Sequence, residues 1–338
     1  MDARELSKVK IWNILDKQIE VDNSDNKRNS LSERGFSLRP TEASVVSIEN
    51  GNAFIWGSCH RKIWYRVLDF KQTEPITTKT LYIFKFGNLI EDFITNLFKD
   101  SGAFKDGSVK VYDVDTNING EIDIVVKVPI ESEEKYDDDK YVIVEVKSTW
   151  GGPATKLFTH YEGRGSNKHL VYPKPKEQNL LQLIIYLYKQ KDDPNLVGGK
   201  LIYLLRDNFK RTEFDVTLEE QANGKHRASV NGNLITGFYV EDIFDRYQVI
   251  LDKLDKDIEL IKSGTKKVDL IPPERDFTMN HSPEQVEILY ESGRISETAY
   301  NNYIKSPTNN PSYDWQCSYC SYKTLCYAHE DVINNQGE

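Results

Sequence analysis

Four cysteines constrain the fold of this chain more than any other feature of its sequence. Cys317, Cys320 and Cys326 crowd the carboxyl-terminal region in C-x2-C-x5-C spacing, whereas Cys59 stands alone far upstream. Thiolates bind zinc ions and iron–sulfur clusters, so a shared site would bring residue 59 next to the tail. Structural zinc sites usually contain two close cysteine pairs, and the spacing here is atypical of them. Zinc, with His60 as a substitute ligand, nevertheless stays an alternative.

The composition fits a globular protein, with 38% hydrophobic and 29% charged residues in a chain of 338. No apolar run is long enough to span a bilayer, and the opening residues MDARELSKVK lack the apolar core of a signal peptide. We therefore expect a cytoplasmic protein without a membrane partner, in which cysteines serve as metal ligands rather than disulfides.

The net charge of −9 bears on the class of partner. It argues against a passive, nonspecific DNA-binding protein, because such proteins depend on a basic surface. It does not exclude an enzyme that acts on nucleic acid, because bound divalent cations offset active-site carboxylates.

Hydrophobic periodicity divides the chain into helices, strands and loops. Helical spacing predicts helices over 3–18, 40–50, 81–100, 176–191, 240–264, 282–292 and 295–305, and within the segment 54–70 a helix that starts near Cys59. Alternation predicts a three-stranded meander over 109–115, 120–128 and 140–148, a strand pair over 199–207 and 211–218, and a polar hairpin over 226–237. Irregular composition predicts loops over 22–38 and 150–176, and the second is long enough to indicate a functional loop.

These segments group into four regions. We expect an N-terminal helical or flexible segment over 1–50, a core over 51–206, a strand pair with a helical extension over 207–310, and a cysteine tail over 311–338.

The third strand of the expected meander carries two charged residues within an apolar run. Because side chains alternate along a strand, Glu145 and Lys147 share one face. On the strand before it, Asp123 lies on the face opposite to Ile122 and Ile124. If the two strands pair, Asp123 and Glu145 converge, and carboxylates are ligands that hard divalent ions prefer. The competing interpretation is a solvent-facing charge pair on an edge strand.

The two strands resemble the core of the PD-(D/E)XK nuclease superfamily. The motif GEID at 120–123, followed by IVEVKST at 143–149, is similar to the RecB-like branch, in which a glycine stands three positions before the aspartate. This resemblance implies an α/β restriction-endonuclease-like core, with a central mixed sheet flanked by helices, a helical extension and a metal-dependent hydrolysis of DNA. It assigns Asp123, Glu145 and Lys147 to catalysis.

RecB-like nucleases also carry a metal ligand on the helix before the core, often His in a G-x-x-x-H pattern. Here Gly87-Asn-Leu-Ile-Glu91 places a glutamate in that position, with Asp92 as the adjacent alternative. A carboxylate makes the site harder and more negative than histidine would. The implied ligands of Mg2+ or Mn2+ are Glu91, Asp123, Glu145 and the backbone carbonyl of Val146.

A further motif of the branch, Q-x-x-x-Y, is matched by Gln182-Leu-Ile-Ile-Tyr186, with Gln178 one turn earlier on the same helix face. The resemblance implies that Gln178, Gln182 and Tyr186 contact the DNA backbone. The alternative is that Tyr186 belongs to the core and the glutamines to the surface.

The cysteine segments SCHRKIWYRV at 58–67 and WQCSYCSYKTLC at 315–326 resemble those of iron–sulfur exonucleases of the CRISPR-associated and AddB-like groups. The resemblance implies a [4Fe–4S] cluster on Cys59, Cys317, Cys320 and Cys326 that braces the fold. It implies an exonuclease acting on DNA ends, single-stranded ends being favoured, in recombination, repair or CRISPR-type processing. The alternative function is a non-catalytic DNA-end-binding or scaffold subunit, and either role allows a protein partner in such a complex.

Overall fold

A computed structural model of the protein describes residues 15–21, 37–74, 76–130, 135–151, 154, 157–162, 169–278, 281–307 and 315–335. Its strands are β1 (Ser44–Glu49), β2 (Asn52–Gly57), β3 (Phe104–Asp113), β4 (Ile118–Pro129), β5 (Tyr136–Thr149), β6 (His160–Glu162), β7 (His169–Val171), β8 (Leu196–Leu205), β9 (Arg211–Glu220), β10 (His226–Val230) and β11 (Asn233–Leu234). Its helices of more than one turn are α1 (His60–Val67), α2 (Thr78–Asp100), α3 (Glu177–Lys189), α4 (Val240–Lys262), α5 (Pro283–Glu291), α6 (Glu297–Lys305), α7 (Trp315–Ser318) and α8 (Lys323–Asn335).

A seven-stranded mixed sheet, flanked by helices, organises this architecture. Its strand order is β11-β10-β9-β8-β5-β4-β3, in which β5 and β8 are parallel and the other neighbours are antiparallel. The protein is therefore of the α/β class. The β1–β2 and β6–β7 hairpins form two smaller sheets.

Both faces of the sheet are covered where β5 runs through it. Helix α3 lies between β5 and β8 in sequence, as a parallel connection requires, and its buried leucines and isoleucines join the main core. On the other face, Ile90, Ile94 and Phe98 of α2 pack against Val144 and Val146 of β5. This two-sided burial explains why β5 reads as an almost continuous apolar run.

Most of the predicted elements are confirmed. The three-stranded meander is β3–β4–β5, the strand pair is β8–β9, and the polar hairpin is β10–β11. The turn residues Asn231 and Gly232 of that hairpin both have positive φ, at 51° and 77°, which is the conformation that an Asn-Gly turn favours. Helices α2 to α6 occupy the predicted segments within a few residues at each end.

The predicted helix over 40–50 is wrong. Only Pro40–Glu42 forms a single 3-10 turn, and the rest is strand β1, which pairs with β2. Asn50 and Gly51 have φ values of 51° and 82°, so a second Asn-Gly turn joins the two strands. In the segment 54–70, by contrast, the helix begins at His60 with Cys59 at its N-cap, so its predicted start near Cys59 is confirmed, and the residues before it belong to β2.

Other predictions meet the limits of the described residues. Of the predicted helix 3–18, residues 15–18 are described as helical, and residues 3–14 and most of the predicted loop 22–38 lie outside the described part. The segment 150–176, predicted as a loop, contains the β6–β7 hairpin. Strands on both sides of residue 206 belong to the same sheet, so the sheet continues from the predicted core into the predicted extension. None of the described helices combines the length and apolar character needed to cross a bilayer.

Candidate active site and cysteine pocket

The strands β4 and β5 stop pairing at the point where the predicted carboxylates lie. Their last paired residues in this direction are Ile124 and Val144. Beyond that pair, the Oδ2 of Asp123 accepts a hydrogen bond from the amide of Val146 at 2.8 Å. A side chain thus satisfies a backbone donor that would otherwise need a partner strand. Where the strands separate, the side chains of Asp123 and Glu145 lie close enough to interact with each other.

The same irregularity corrects the predicted faces of β4. Strict alternation places Ile122 and Ile124 together, yet Ile122 packs in the main core and Ile124 packs in the cluster under α2. Alternation therefore breaks at Asp123, the residue whose side chain replaces a backbone partner.

Glu145 and Lys147 lie on an internal strand, not at an edge. The exposure of Glu145 is 0%, and the Nζ of Lys147 donates a hydrogen bond to its Oε1. The Oε2 of Glu145 is buried without a hydrogen-bond partner among the described residues. The interpretation as a solvent-facing edge pair is wrong, because the strand is internal and Glu145 is buried. Its buried oxygen without a partner carries a desolvation cost that a surface pair avoids.

Helix α2 brings Glu91 to the same place from the other side of the sheet. Burial and then the charge of Asp123 raise the pKa of Glu91 to about 7, against an opposing effect of Lys147. Glu91 is half-buried, whereas Asp92 is exposed, so the register favours Glu91 over its neighbour. The four predicted catalytic residues, on three elements, therefore share one electrostatic environment.

The three carboxyl groups are all shifted towards their neutral form. The pKa of Glu145 is raised to about 8. Burial causes most of this rise, Lys147 opposes it, and the charge of Asp123 adds to it. Burial also raises the pKa of Asp123. Burial by itself would lower the pKa of Lys147, but the charges of Glu145 and Asp123 raise it on balance, so the lysine stays protonated. One lysine does not compensate three acids, and a further cation would stabilise their ionised forms.

The residues present fit a divalent ion by their chemistry. Oxygen donors on three elements surround Lys147, and the unpartnered Oε2 of Glu145 offers a buried ligand atom. Among the described residues, no three acidic, histidine or cysteine side chains already stand in an arrangement that holds a metal ion. The amide of Val146 is taken by Asp123, and a role for its carbonyl stays a prediction.

The Gln-Tyr stripe of α3 contacts the protein itself. The Nε2 of Gln178 donates to the carbonyl of Thr41 at 2.6 Å and to the Oγ of Ser58 at 3.2 Å. Gln182 and Tyr186 are 5% and 1% exposed, and the Nε2 of Gln182 donates to the hydroxyl of Tyr186 at 3.3 Å. Hydrogen bonds within the fold thus occupy the amide nitrogens of both glutamines and the hydroxyl of Tyr186, and a contact of these side chains with DNA stays a prediction.

Tyr186 instead supports the strand that carries Asp123. Its hydroxyl donates to the carbonyl of Glu121 at 2.9 Å. A Cβ atom on Gly120 would lie 2.5 Å from Pro40 and 3.0 Å from the Tyr186 hydroxyl, so only glycine fits there. The glycine and the Q-x-x-x-Y motif therefore act on the same stretch of β4. Burial, and then the charge of Glu145, raise the pKa of Tyr186, which keeps its hydroxyl protonated as a donor.

All four cysteines line one pocket. Cys59 reaches it from the N-cap of α1, and the other three reach it from the tail. The Nη1 of Arg61 donates to the Sγ of Cys326 at 3.7 Å. No acidic residue of the described chain lines the pocket. Four basic residues do: Arg61, Lys62, Arg275 and Lys323.

The tail is fixed to the first helix region by hydrogen bonds around this pocket. Gln316 Nε2 donates to the carbonyl of Gly57 at 2.8 Å, and the amide of Thr73 donates to the carbonyl of Ser321 at 2.9 Å. The predicted proximity of residue 59 to the tail is therefore confirmed, and the contact does not depend on the thiols alone.

His60 does not fit the role of a fourth zinc ligand. It is 6% exposed, its Nε2 lies 3.3 Å from the Oγ of Ser44, and it does not line the cysteine pocket. Burial lowers the pKa of His60 to about 4, so the ring is neutral within the core. The backbone amide of His60 donates to Asp276 at 2.6 Å, which fixes the start of α1.

Comparisons with known proteins give few matches. No family model and no curated protein matches this chain. Among solved structures, the crystal structure of SSO0001 is similar over 95% of this chain and 98% of that chain, with a TM-score of 0.41 and 13% identity. A similarity at this level carries no argument about function, so the assignment depends on the residues of this chain.

Proposed function

We propose that this protein is a metal-dependent deoxyribonuclease of the PD-(D/E)XK type, similar to the RecB-like branch. It hydrolyses phosphodiester bonds at DNA ends, preferentially in single strands, and a [4Fe–4S] cluster braces its fold. The observation that carries the proposal is the meeting of Glu91, Asp123, Glu145 and Lys147 where β4 and β5 separate. A site of this kind serves DNA recombination, repair or CRISPR-type processing, with a protein partner in such a complex.

Three carboxylates would hold Mg2+ or Mn2+ in this proposal: Glu91, Asp123 and Glu145, with the carbonyl of Val146. When bound, such an ion polarises a phosphate and lowers the pKa of a coordinated water. Asp123 is held in place by the amide of Val146, and Glu145 by Lys147. These contacts fix the donors before a substrate arrives, which favours binding of a cation.

Lys147 supplies a fixed positive charge beside the carboxylates. About a quarter of its side chain is exposed, at 26%, so its ammonium group borders both Glu145 and the open side of the site. The ammonium group can orient an attacking water and stabilise the negative charge that develops on the phosphate. Hydrolysis then needs no covalent intermediate with the enzyme.

The cysteine pocket fits a [4Fe–4S] cluster by its donors and by its charge. Burial, and then the charge of Asp276, raise the pKa of the Cys59 thiol to about 11, and burial also raises the pKa of Cys326. Without metal, the thiols of Cys59 and Cys326 are therefore neutral, and iron would displace their protons. The basic residues that line the pocket complement the net negative charge of a cluster with four thiolate ligands.

A cleavage assay on labelled DNA tests the catalytic proposal. We expect protein purified without oxygen to degrade 5′- or 3′-labelled single-stranded DNA with Mn2+ and to leave it intact with chelator. Lys147→Ala should lower the rate by about 100-fold or more, because it removes a fixed charge from the transition state. Lys200→Ala is the matched control, since that lysine of β8 is paired with Asp215 away from the carboxylates. The two label positions also give the polarity of degradation.

The same assay separates the proposal from a non-catalytic DNA-end-binding or scaffold subunit. Wild-type protein that holds its cofactor, binds DNA ends and cleaves neither the 5′-labelled nor the 3′-labelled strand would support that alternative. Cleavage that is equally fast in wild type and Lys147→Ala would instead remove the assignment of the site.

A further inference from the structure

Two cations and a tryptophan lie together at the carboxyl ends of the parallel strands β5 and β8. The guanidinium of Arg206 stacks 4.1 Å from the ring centroid of Trp150. The amide of Arg206 donates to the carbonyl of Thr149 at 2.9 Å, and the Nζ of Lys176 donates to the Oγ1 of the same threonine at 3.3 Å. Thr149 therefore joins the three side chains into one group, which we call the strand-end cluster.

The strand-end cluster adjoins the proposed catalytic lysine. Thr149 follows Lys147 on the same face of β5, and Lys147 is in register with Tyr203 of β8. The hydroxyl of Tyr203 accepts a hydrogen bond from the amide of Lys176 at 3.1 Å. A nucleic-acid strand that places a phosphate beside Lys147 would therefore pass Thr149 and Lys176 next, at the end of β5 where Trp150 follows Thr149.

The two cations have no acidic partner among the described residues. None of the ion pairs there includes Lys176 or Arg206, although the Nη1 of Arg206 donates to the carbonyl of Ile83 at 3.3 Å. Burial, and then the charge of Arg206, lower the pKa of Lys176. A bound anion beside both cations would offset their mutual repulsion.

The start of α3 adds to the positive potential at this place. The helix begins at Glu177, directly after Lys176, and no side chain caps its first turn. The N-terminus of a helix carries partial positive charge and free amide donors, which favour phosphate. The phosphate-binding character thus has three sources, of which the helix end is only one.

Trp150 offers a surface for a base. The residue is 46% exposed even though the guanidinium of Arg206 covers part of its ring. Flat aromatic surfaces beside cations bind single strands, because any unpaired base can stack on the ring while the cations hold the backbone. A base within a duplex is already stacked on its neighbours and cannot use such a surface.

We propose that Trp150, Lys176 and Arg206 form a nucleotide subsite next to the scissile position, in which the two cations bind a phosphate and the indole ring stacks on an unpaired base. This inference rests on the proposed nuclease function and specifies its substrate as a single strand or a frayed end. The subsite binds DNA whether or not cleavage takes place.

Binding measured in chelator tests the subsite separately from catalysis. We expect Trp150→Ala to weaken the binding of a fluorescein-labelled single-stranded oligodeoxynucleotide by about 5-fold to 100-fold in an anisotropy titration, which is the range for one base–aromatic stack. Binding of a blunt duplex should change by less than about twofold. Phe209→Ala is the matched control, because Phe209 is an aromatic residue with 76% exposure on the adjoining turn.

The salt dependence of the same titration tests the phosphate contacts. Lys176→Met and Arg206→Met should each reduce the slope of log Kd against log salt by about 0.7, the value for one phosphate contact with a single strand. Thermal melts identify any variant that fails to fold. If Arg206→Met fails to fold, Arg206→Lys replaces it; this variant keeps the charge and should retain the wild-type slope.

Equal losses from Trp150→Ala and Phe209→Ala, equal losses for single strand and duplex, or unchanged salt slopes would each overturn the subsite. A protein that cleaves no DNA but shows the predicted losses in chelator would keep the subsite and remove the proposed function. A protein that cleaves DNA with Mn2+ but shows none of the predicted losses of binding would keep the proposed function and remove the subsite.

Discussion

The carboxylate site is surrounded mainly by acidic groups, whereas the cysteine pocket is lined by basic ones. At the carboxylate site, three acidic groups share a single lysine, and burial raises the pKa of each of them. At the cysteine pocket, four basic residues surround four thiols and no acid of the described chain lines the wall. The first environment stabilises an added cation, and the second stabilises an added group of negative charge.

The two regions also differ in how the chain builds them. The carboxylate site needs an interruption in a regular sheet, since β4 and β5 must separate for Asp123 to reach the amide of Val146. The cysteine pocket needs only that two distant segments meet, and hydrogen bonds such as Gln316 to Gly57 hold them together. The sheet therefore positions the carboxylates, whereas contacts between two distant segments bring the four cysteines together.

The largest effect should come from the cysteine pocket. Cys320→Ala should bleach the visible absorption of protein purified without oxygen and lower the free energy of unfolding by about 3 kcal/mol or more, because metal binding contributes to folding. Absorption spectra and urea unfolding measure both. Ser318→Ala, an exposed neighbour in the same tail, is the control.

Loss of Cys59 should have the same character, with stability falling first and activity falling as a consequence. Colourless wild-type protein with one zinc ion per chain, prepared without oxygen, would contradict the iron–sulfur assignment. It would leave the carboxylate site untouched, because no thiol takes part there.

A smaller effect should appear as a pH dependence at the carboxylate site. The pKa values of Glu145 and Glu91 in the folded protein, about 8 and about 7, exceed their ordinary value of 4.5. The stability that these groups contribute is therefore fully present below about pH 4.5 and is lost as the pH rises through their folded pKa values. In chelator, we expect the free energy of unfolding to fall by about 2–4 kcal/mol between pH 5 and pH 8.

Glu145→Gln should remove most of this slope, because the amide does not titrate. Glu213→Gln, on the exposed side of β9, should leave it in place. Urea unfolding at several pH values, with and without Mn2+, makes the comparison. Equal slopes in Glu145→Gln and wild type would show that the buried carboxyl does not control stability.

The smallest effect should come from the residue that supports β4. Tyr186→Phe removes the hydrogen bond to Glu121 and should cost about 1 kcal/mol of unfolding free energy. If Tyr186 only positions the strand, kcat should fall several-fold while the Kd for DNA stays within about twofold of wild type. Tyr112→Phe, an exposed tyrosine on β3, is the control. A weaker Kd with unchanged kcat would instead restore the predicted DNA contact.

Much of the fold could be predicted because local signals agreed with tertiary structure. The spacing of apolar residues and the turn residues predicted the meander, the β8–β9 pair and helix α4. Helix α4 ends at Lys262, and Gly264 just after it has a φ of 107°, a conformation that favours glycine beyond a helix end. The segment 40–50 forms strand β1 rather than a helix, and the positive φ values of Asn50 and Gly51 belong to the turn that lets it pair with β2. Whether residues 44–49 form a helix or a strand depends on their pairing with β2, which periodicity within the segment itself does not reveal.

The candidate site was predictable in its members and not in its geometry. The spacing placed Glu145 and Lys147 on one face, but alternation could not show that β4 breaks phase at Asp123. The burial of Tyr186 and the contact of Arg206 with Trp150 arise from residues far apart in sequence, so a motif search cannot find them.

Calorimetric titration with Mn2+ at pH 7, in two buffers of different ionisation enthalpy, tests most directly whether the carboxylate site binds a cation. Wild-type protein should bind Mn2+ and release roughly one proton or more per ion, because Glu91 and Glu145 hold protons at that pH. The double variant Asp123→Asn, Glu145→Gln should show neither binding nor proton release at this site. Equal affinity and equal proton release in the wild type and the double variant would contradict the account.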